Sequence, residues 1–444
     1  GLPLSRHGVA FAAQLRDLCH ASLGIVGFVI CEYLAFVALN PAALNVRVES
    51  GAGGGEEALG VIAFLARAAA QLAPAPEATP HRLRLEPGTF TTLRGELGRA
   101  LHHLQAASGG AFLVAAADLA GSTSVSAVAE GFPGGFWNTR TNPDARMLSV
   151  GGICEDAIAG VLSAIAAYGY DLGVGSSYGA FMAPLGHIAA RLHAIGSQAR
   201  ASVTGEPYTP MFLVCAHAGL GTGEDGPTHA NPQPLQLLQE DFPKGTAVSL
   251  VPWEPQEVWT LTAAALARRP AVISAFVTRP AEPVLDRPAL GLAPAEAAAS
   301  GVYRLRDSEQ PDVTVVLQES AVTYAFVQEA LPILEEKGVD ALAIYVASAE
   351  LFDLLTEEER RSILPEARAA EALGITGFTL PTLYRWVTSE AGRAASLYPF
   401  RKGHYLGSGP GELVLAEAGL DGESQAAAVL SYLDARAAAR RPSP

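Results

Sequence analysis

His217-Ala218-Gly219-Leu220-Gly221-Thr222-Gly223-Glu224-Asp225-Gly226-Pro227-Thr228-His229 is the stretch on which the reading of this chain turns. It continues from the apolar run Met211–His217, which predicts a buried strand. A Gly-rich segment at the carboxyl end of a parallel strand lies where open α/β sheets take their ligands, because loops and helix N-termini converge there. Glycines let the backbone approach a ligand closely and adopt positive φ. Asp225 and His229 add a carboxylate and an imidazole to that loop. As a Gly-rich turn alone the segment says little; as the nine-residue string Gly221 to His229 it is specific.

Outward from this loop, apolar runs alternate with helical periods. A helix is predicted over Thr91–Ala107 and a buried strand over Ala111–Ala117. The Gly-Gly-Ile-Cys turn opens an Ala-rich helix, Glu155–Ala167, and another helix starts near Gly179. Strands at Ala247–Pro252 and Ala271–Val277 flank a helix from Pro255 to Arg268. After a Pro/Ala-rich linker, Ala281–Ala299, come a strand at Asp312–Leu317, a helix at Ser320–Lys337 and a strand at Ala341–Ala347. Strands alternating with helices of this length imply an α/β fold: two doubly wound, mainly parallel-sheet domains after an N-terminal segment. The expected divisions are 1–87, which ends in a Pro/Ala-rich linker from Ala73 to Pro80, then 88–285, and then 300–435 with a frayed tail.

Composition excludes several classes. The 444 residues exceed one hydrophobic core, and 49% apolar with 17% charged residues is a globular balance. A net charge of −15, with no cluster of Lys and Arg, argues against nucleic-acid binding. Cys19, Cys31, Cys154 and Cys215 form no CxxC pair, so neither a disulfide framework nor a zinc site is expected, and a reducing cytoplasm is the default. Leu23 to Leu39 is apolar except for Glu32. It is shorter than the roughly 20 residues that cross a bilayer and lacks a signal-peptide layout, so a buried strand or helix is expected rather than a membrane span.

The run His217 to His229 resembles the signature loop of transketolases and, less closely, that of deoxyxylulose-phosphate synthases. Other segments fall in the family's order around it: Ala117-Asp118-Leu119-Ala120-Gly121-Ser122, then Gly152-Ile153-Cys154-Glu155 before the Ala-rich helix, then Gly301-Val302-Tyr303-Arg304-Leu305 and Ser362-Ile363-Leu364-Pro365. The resemblance covers about residues 88–435 and implies a pyrimidine-binding domain followed by a transketolase C-terminal domain.

It also implies a cofactor, thiamine diphosphate, and a set of site residues. Thiamine diphosphate reacts through a carbanion at its thiazolium ring, and its aminopyrimidine needs one well-placed carboxylic acid. The resemblance puts Glu155 in that role; the apolar stretch after it favours a carboxyl that shares its proton. Read locally, Glu155 is otherwise an acid at a helix N-terminus, favoured by the dipole. Tyr178 and Phe181 match aromatics that pack on the pyrimidine, while Pro184 stands where the family carries a further aromatic. Asp118 would lie near the thiazolium ring. Arg94, Ser122, His217 and Arg279 match the residues that hold a sugar phosphate, and guanidinium forks suit phosphate oxygens. Asp225 and His229 would face the sugar hydroxyls and the reacting centre. Ala218 and Gly219, where transketolases carry polar residues, hint at a specialised substrate.

The family's diphosphate-binding signature, Gly-Asp-Gly followed by a distant Asn, is not found in the sequence. Magnesium prefers a carboxylate with phosphate oxygens in octahedral geometry. The resemblance therefore implies that Mg2+, or Ca2+, is held mainly by a companion subunit carrying the diphosphate domain, in a heterotetramer with two copies of each chain. The expected function is transfer of a two-carbon ketol unit from a ketose phosphate to an aldose acceptor. The alternatives are a subunit of another thiamine diphosphate carboligase or 2-oxo acid decarboxylase, and a non-catalytic partner of a transketolase.

Overall fold

The computed structural model describes residues 79–117, 119–168, 171–183, 188–205, 207–229 and 231–439. The Leu23–Leu39 run, Cys19, Cys31, Asp118 and Pro184 lie outside the described residues. Among the described residues no helix is long and apolar enough to cross a membrane.

The first unit opens with a short strand, β1 (Phe90–Thr92), that runs into α1 (Leu93–Ser108). Thr92 caps that helix by accepting from the Gly95 amide at 2.9 Å. Leu93, Leu97, Ala100, Leu101 and Leu104 recur at helical spacing and are all buried. Then follow β2 (Phe112–Ala116), α2 (Glu155–Tyr168), β3 (Leu172–Ser177), α3 (Ile188–Thr204), β4 (Met211–Cys215), β5 (Ala247–Leu250), α4 (Glu257–Arg268) and β6 (Val272–Phe276). The five strands form one wholly parallel sheet in the order β2-β3-β4-β6-β5. Buried on both faces, they read as continuous apolar runs. The interior strand β3 is the exception. Its sequence, Leu-Gly-Val-Gly-Ser-Ser, gives no strand signal, yet every residue is buried. Gly173 lets α2 lie close: a Cβ there would come 2.8 Å from that of Leu162. The helix expected near Gly179 is a single 3-10 turn, Gly179–Phe181, and α3 starts only at Ile188.

The second unit holds β8 (Val302–Arg306), β9 (Val313–Gln318), β10 (Ala341–Val346) and β11 (Ala372–Thr376) in the order β11-β9-β10-β8. Only β8 is antiparallel. The helix after β9 is α5 (Ser320–Ala325), continued through a π turn, Phe326–Ala330. Near the carboxyl end α6 (Gly411–Ala418) precedes α7 (Gly422–Ala439).

The stretch Ala281–Ala299, expected as a linker, is packed. Its first residues form β7 (Ala281–Pro283), antiparallel to β1. Arg287 is buried between Glu254 and Glu257, at 3.0 and 2.8 Å. Tyr303 of β8 donates to Glu257 and accepts from the Trp253 indole at 2.9 Å. The Arg287 guanidinium also stands over the Trp253 ring, 5.0 Å from its centroid. Burial holds the Glu257 carboxyl above its ordinary range, against the opposing pull of Arg287. One apolar cluster runs from Leu93 through Trp253 and Tyr303 to Tyr432, so the two units share a core. Removing Arg287 leaves two buried carboxyls without their cation. Arg287→Ala is expected to cost about 3–5 kcal/mol in urea unfolding; a loss below about 1 kcal/mol contradicts this account of the junction.

Candidate functional site

Three adjacent strands deliver side chains to one edge of the first sheet. Tyr178 follows β3, His217 follows β4, and Arg279 follows β6. Backbone bonds extend the ladder past the strands and fix these ends: Ala216 N to Ser177 O at 3.1 Å, and Ala218 N to Val277 O at 3.1 Å. Arg94, in the first turn of α1, is brought to the same edge by its amide, which bonds Thr278 O at 3.3 Å.

There the charges interlock. Arg94 Nη1 donates to the Ser122 carbonyl and lies 2.8 Å from His217 Nε2. A guanidinium only donates, so Nε2 is the acceptor and the imidazole proton sits on Nδ1. Nδ1 faces Asp225 Oδ2 at 3.0 Å, close but off the angle of a good hydrogen bond. Asp225 Oδ1 accepts from Arg279 Nη1 at 2.8 Å, and Glu224 stands 3.8 Å from the same guanidinium. Burial is the largest influence on His217. Asp225 opposes it and the two arginines reinforce it, which leaves the pKa near 4, so the imidazole is neutral at pH 7. Burial and then the Arg279 charge also lower the Arg94 pKa. Arg94 and Arg279 bring guanidinium donors to this edge beside an uncharged histidine, with Asp225 and Glu224 offsetting the charge of Arg279.

The aromatic residues adjoin this cluster. The Tyr178 ring is 4.2 Å from that of His217, tilted by 32°, and its hydroxyl donates weakly to Ser122 Oγ at 3.4 Å. His229 packs edge-on to Tyr178 and Phe181, at 5.5 Å from each, and meets Thr228 Oγ1 at 2.9 Å through Nδ1. Tyr178 is buried against His217, whereas Phe181 keeps 37% of its surface exposed and is the more open ring of the two. Glu155, at the start of α2, is half-buried, and its Oε1 accepts from Ser177 Oγ at 3.0 Å. That bond ties it to the end of β3, one residue before Tyr178.

The structure thus gathers Arg94, Ser122, Tyr178, Phe181, His217, Asp225, His229 and Arg279 in one chain of contacts, with Glu155 joined through Ser177. Asp118 is outside the described residues. Among the described residues no group of three or more His, Cys, Asp or Glu could hold a metal ion. Ser177, Glu224 and Thr228 were missed by the sequence reading; Glu224 and Thr228, inside the nine-residue string, carried a signal, and Ser177 did not.

The glycines of the loop do allow a close approach, and several of them meet the second unit. A Cβ on Gly223 would meet Val414 of α6 at 2.7 Å and the Gly409 carbonyl at 2.8 Å, and one on Gly226 would strike the Ser408 side chain. The loop's back rests on residues 408–414, and this fixes the face that bears His217 and Asp225. A cavity of about 210 Å³ opens beside it, lined in part by Pro227, Asn231, Phe400 and Tyr405.

Residues 92–279 match the family model described as transketolase, pyrimidine binding domain. A transketolase of Aquifex aeolicus is 31% identical over 225 residues, covering 50% of this chain and 30% of that protein. Among solved structures, a Pichia stipitis transketolase complex with sedoheptulose 7-phosphate superposes with a TM-score of 0.65 at 20% identity, over 92% of this chain and 54% of the other. A split-gene transketolase, described as an inactive β4 tetramer, gives 0.51 at 19% identity, over 77% of this chain and 98% of its own. At these identities the structures speak for the fold. The chain spans about a third of the Aquifex protein and about half of the full-length structure.

The unfolded chain protonates His217 near 6.5 and the folded chain only near 4. Stability is therefore expected to fall as pH drops from about 6.5 towards 4, with this histidine neutral and silent above that window. His217→Gln should flatten that part of the pH–stability curve. An unchanged slope would contradict the neutral assignment.

Proposed function

We propose, for a chain that belongs to the transketolase family through the pyrimidine-binding domain of residues 92–279, that it is one subunit of a two-component ketol-transfer enzyme. Residues 88–285 and 300–435 are its pyrimidine-binding and C-terminal domains. The observation that carries the reading is the convergence of Arg94, His217, Asp225 and Arg279 with Tyr178 and His229 at one sheet edge. The similarity to a split-gene transketolase chain along 98% of that chain supports a separate companion carrying the diphosphate-binding domain. Two copies of each chain make the assembly.

Thiamine diphosphate, bound with Mg2+ or Ca2+ held mainly by the companion, supplies the electron sink for moving a two-carbon unit. The residues present suit its pyrimidine end. Ser177 holds one oxygen of Glu155, leaving the other to meet a ring nitrogen. Phe181 offers the open aromatic surface, and the Tyr178–His217 stack braces the wall behind it. Asp118 is assigned beside the thiazolium ring. Among the described residues Arg94 donates through Nη1 and Arg279 through Nη1 to Asp225, so the remaining donors of both guanidiniums would fork onto a phosphate, with Ser122 and His217 beside them. Asp225 and His229 face the hydroxyls of the bound sugar. A donor of the pyruvate type has no use for two arginines here, which favours a ketose phosphate.

Three measurements test this. Glu155→Gln in the assembled complex should reduce turnover by about 100-fold or more and leave assembly intact; retained activity would favour a non-catalytic partner. Arg94→Ala should raise KM for a ketose phosphate by about 10- to 100-fold while sparing the dephosphorylated ketose; equal effects on both donors would remove the phosphate role. Titrating the isolated chain with thiamine diphosphate and magnesium should show no tight binding, and turnover without a second protein would rule out the two-component arrangement.

A further inference from the structure

The second unit carries one residue that the reading above leaves without a role. Glu319 follows β9 with φ of 94°, a conformation that side chains other than glycine rarely adopt, and it is buried. Several bonds hold it there. Its amide donates to the Tyr345 hydroxyl at 3.3 Å, its carbonyl accepts from Thr323 Oγ1 at 2.6 Å, and its Oε2 accepts from the Val322 amide at 3.1 Å. Among the described residues Oε1 has no hydrogen-bond partner, although it is buried. A Cβ on Gly219 would lie 2.6 Å from the Glu319 carboxyl carbon, and one on Gly377 would lie 2.7 Å from it. The carboxyl is therefore pressed between a glycine of the first unit and a glycine of the second. Because β10 and β11 flank β9 on opposite sides, this is the edge where a doubly wound sheet takes its ligand. Here it takes the Gly219 turn.

We propose that Glu319 is a positioning residue for the 217–229 loop, its buried carboxyl fitting against Gly219 and so setting the stance of His217 and Asp225. Gly219 stands two residues after His217 and opens the 3-10 turn Leu220–Asp225. A neutral carboxyl tolerates an unpaired oxygen against a glycine far better than a charged one does. Burial, the largest influence, pushes the Glu319 carboxyl up to about 7, with Glu282 adding to it and the Val322 and Ala321 amides opposing. The titratable groups around it are Glu282 on β7, itself pushed to about 7 by burial, and Tyr345 on β10. Gly219 and Leu220 from the loop, and Gly377 and Phe378 after β11, bring none. An opened loop lets the carboxyl ionise near its ordinary 4.5, a closed loop only near 7. Closure therefore weakens as pH climbs between those values.

This role rests on the reading of the loop as a substrate site, but its test does not require turnover. Amide hydrogen exchange of the peptide covering 217–229, corrected for intrinsic rates, is followed in the full chain at pH 5 and pH 8. The native chain should lose about 10-fold or more of its protection at the higher pH, and Glu319→Gln should keep the same protection at both. Equal pH dependence in the two chains overturns the proposal. As a second arm, Gly219→Ala, strained in any background by its own φ of 71°, should expose the loop more in the native chain than beside Glu319→Gly, which removes the carboxyl and suits the positive φ at 319. Additive effects overturn the contact. If the assembled enzyme fails to transfer ketol units, the proposed function falls while the exchange result stands on its own.

Discussion

The loop from His217 to His229 is held from behind. Its glycines press onto the second α/β unit so closely that Gly223 has no room for a side chain beside Val414 and Gly409. Everything at the site depends on this contact, because the same thirteen residues carry His217 and Asp225 on their other face. The first unit supplies the sheet edge, and the second decides where the loop lies along it. A mutation in residues 408–414, far in sequence from any reacting group, acts on the site through that surface.

The junction between the units is built to match. Arg287, Glu254, Glu257 and Tyr303 form a buried polar network across it, and Trp253 packs against Arg287 and Tyr324. A buried network of this kind adds little net stability over an apolar contact but is costly to break, so it favours one docked arrangement. The site then inherits a fixed electrostatic pattern. The imidazole of His217 stays neutral between a guanidinium and a carboxylate, and Arg94 and Arg279 supply the cationic donors at this edge, Arg279 being paired with Asp225.

Much of this was legible in the sequence because strong physical signals coincide there. The buried runs at Met211–Cys215 and Val272–Phe276 read as strands, the amphipathic period after Thr92 reads as a helix, and the nine-residue loop is specific. The fold class followed. What stayed hidden lacks a local signal. Strand β3 is spelled with Gly and Ser because α2 must approach it closely, so neither alternation nor β-branched residues mark it. Ser177 therefore went unseen, although it orients Glu155. The glycines of the loop were correctly read as sites of close approach, but sequence does not say to what, and the partner turned out to be residues almost two hundred positions away.

Glu155 and the arginine–histidine cluster are proposed as two ends of one ligand site. A crystal structure of the chain assembled with its companion, thiamine diphosphate and a ketose phosphate tests that most directly. The Glu155 carboxyl is expected within about 2.6–3.2 Å of a pyrimidine nitrogen, with the sugar's phosphate on Arg94 and Arg279. A cofactor bound away from Glu155, or a phosphate held elsewhere while the two arginines keep only their protein partners, would contradict it.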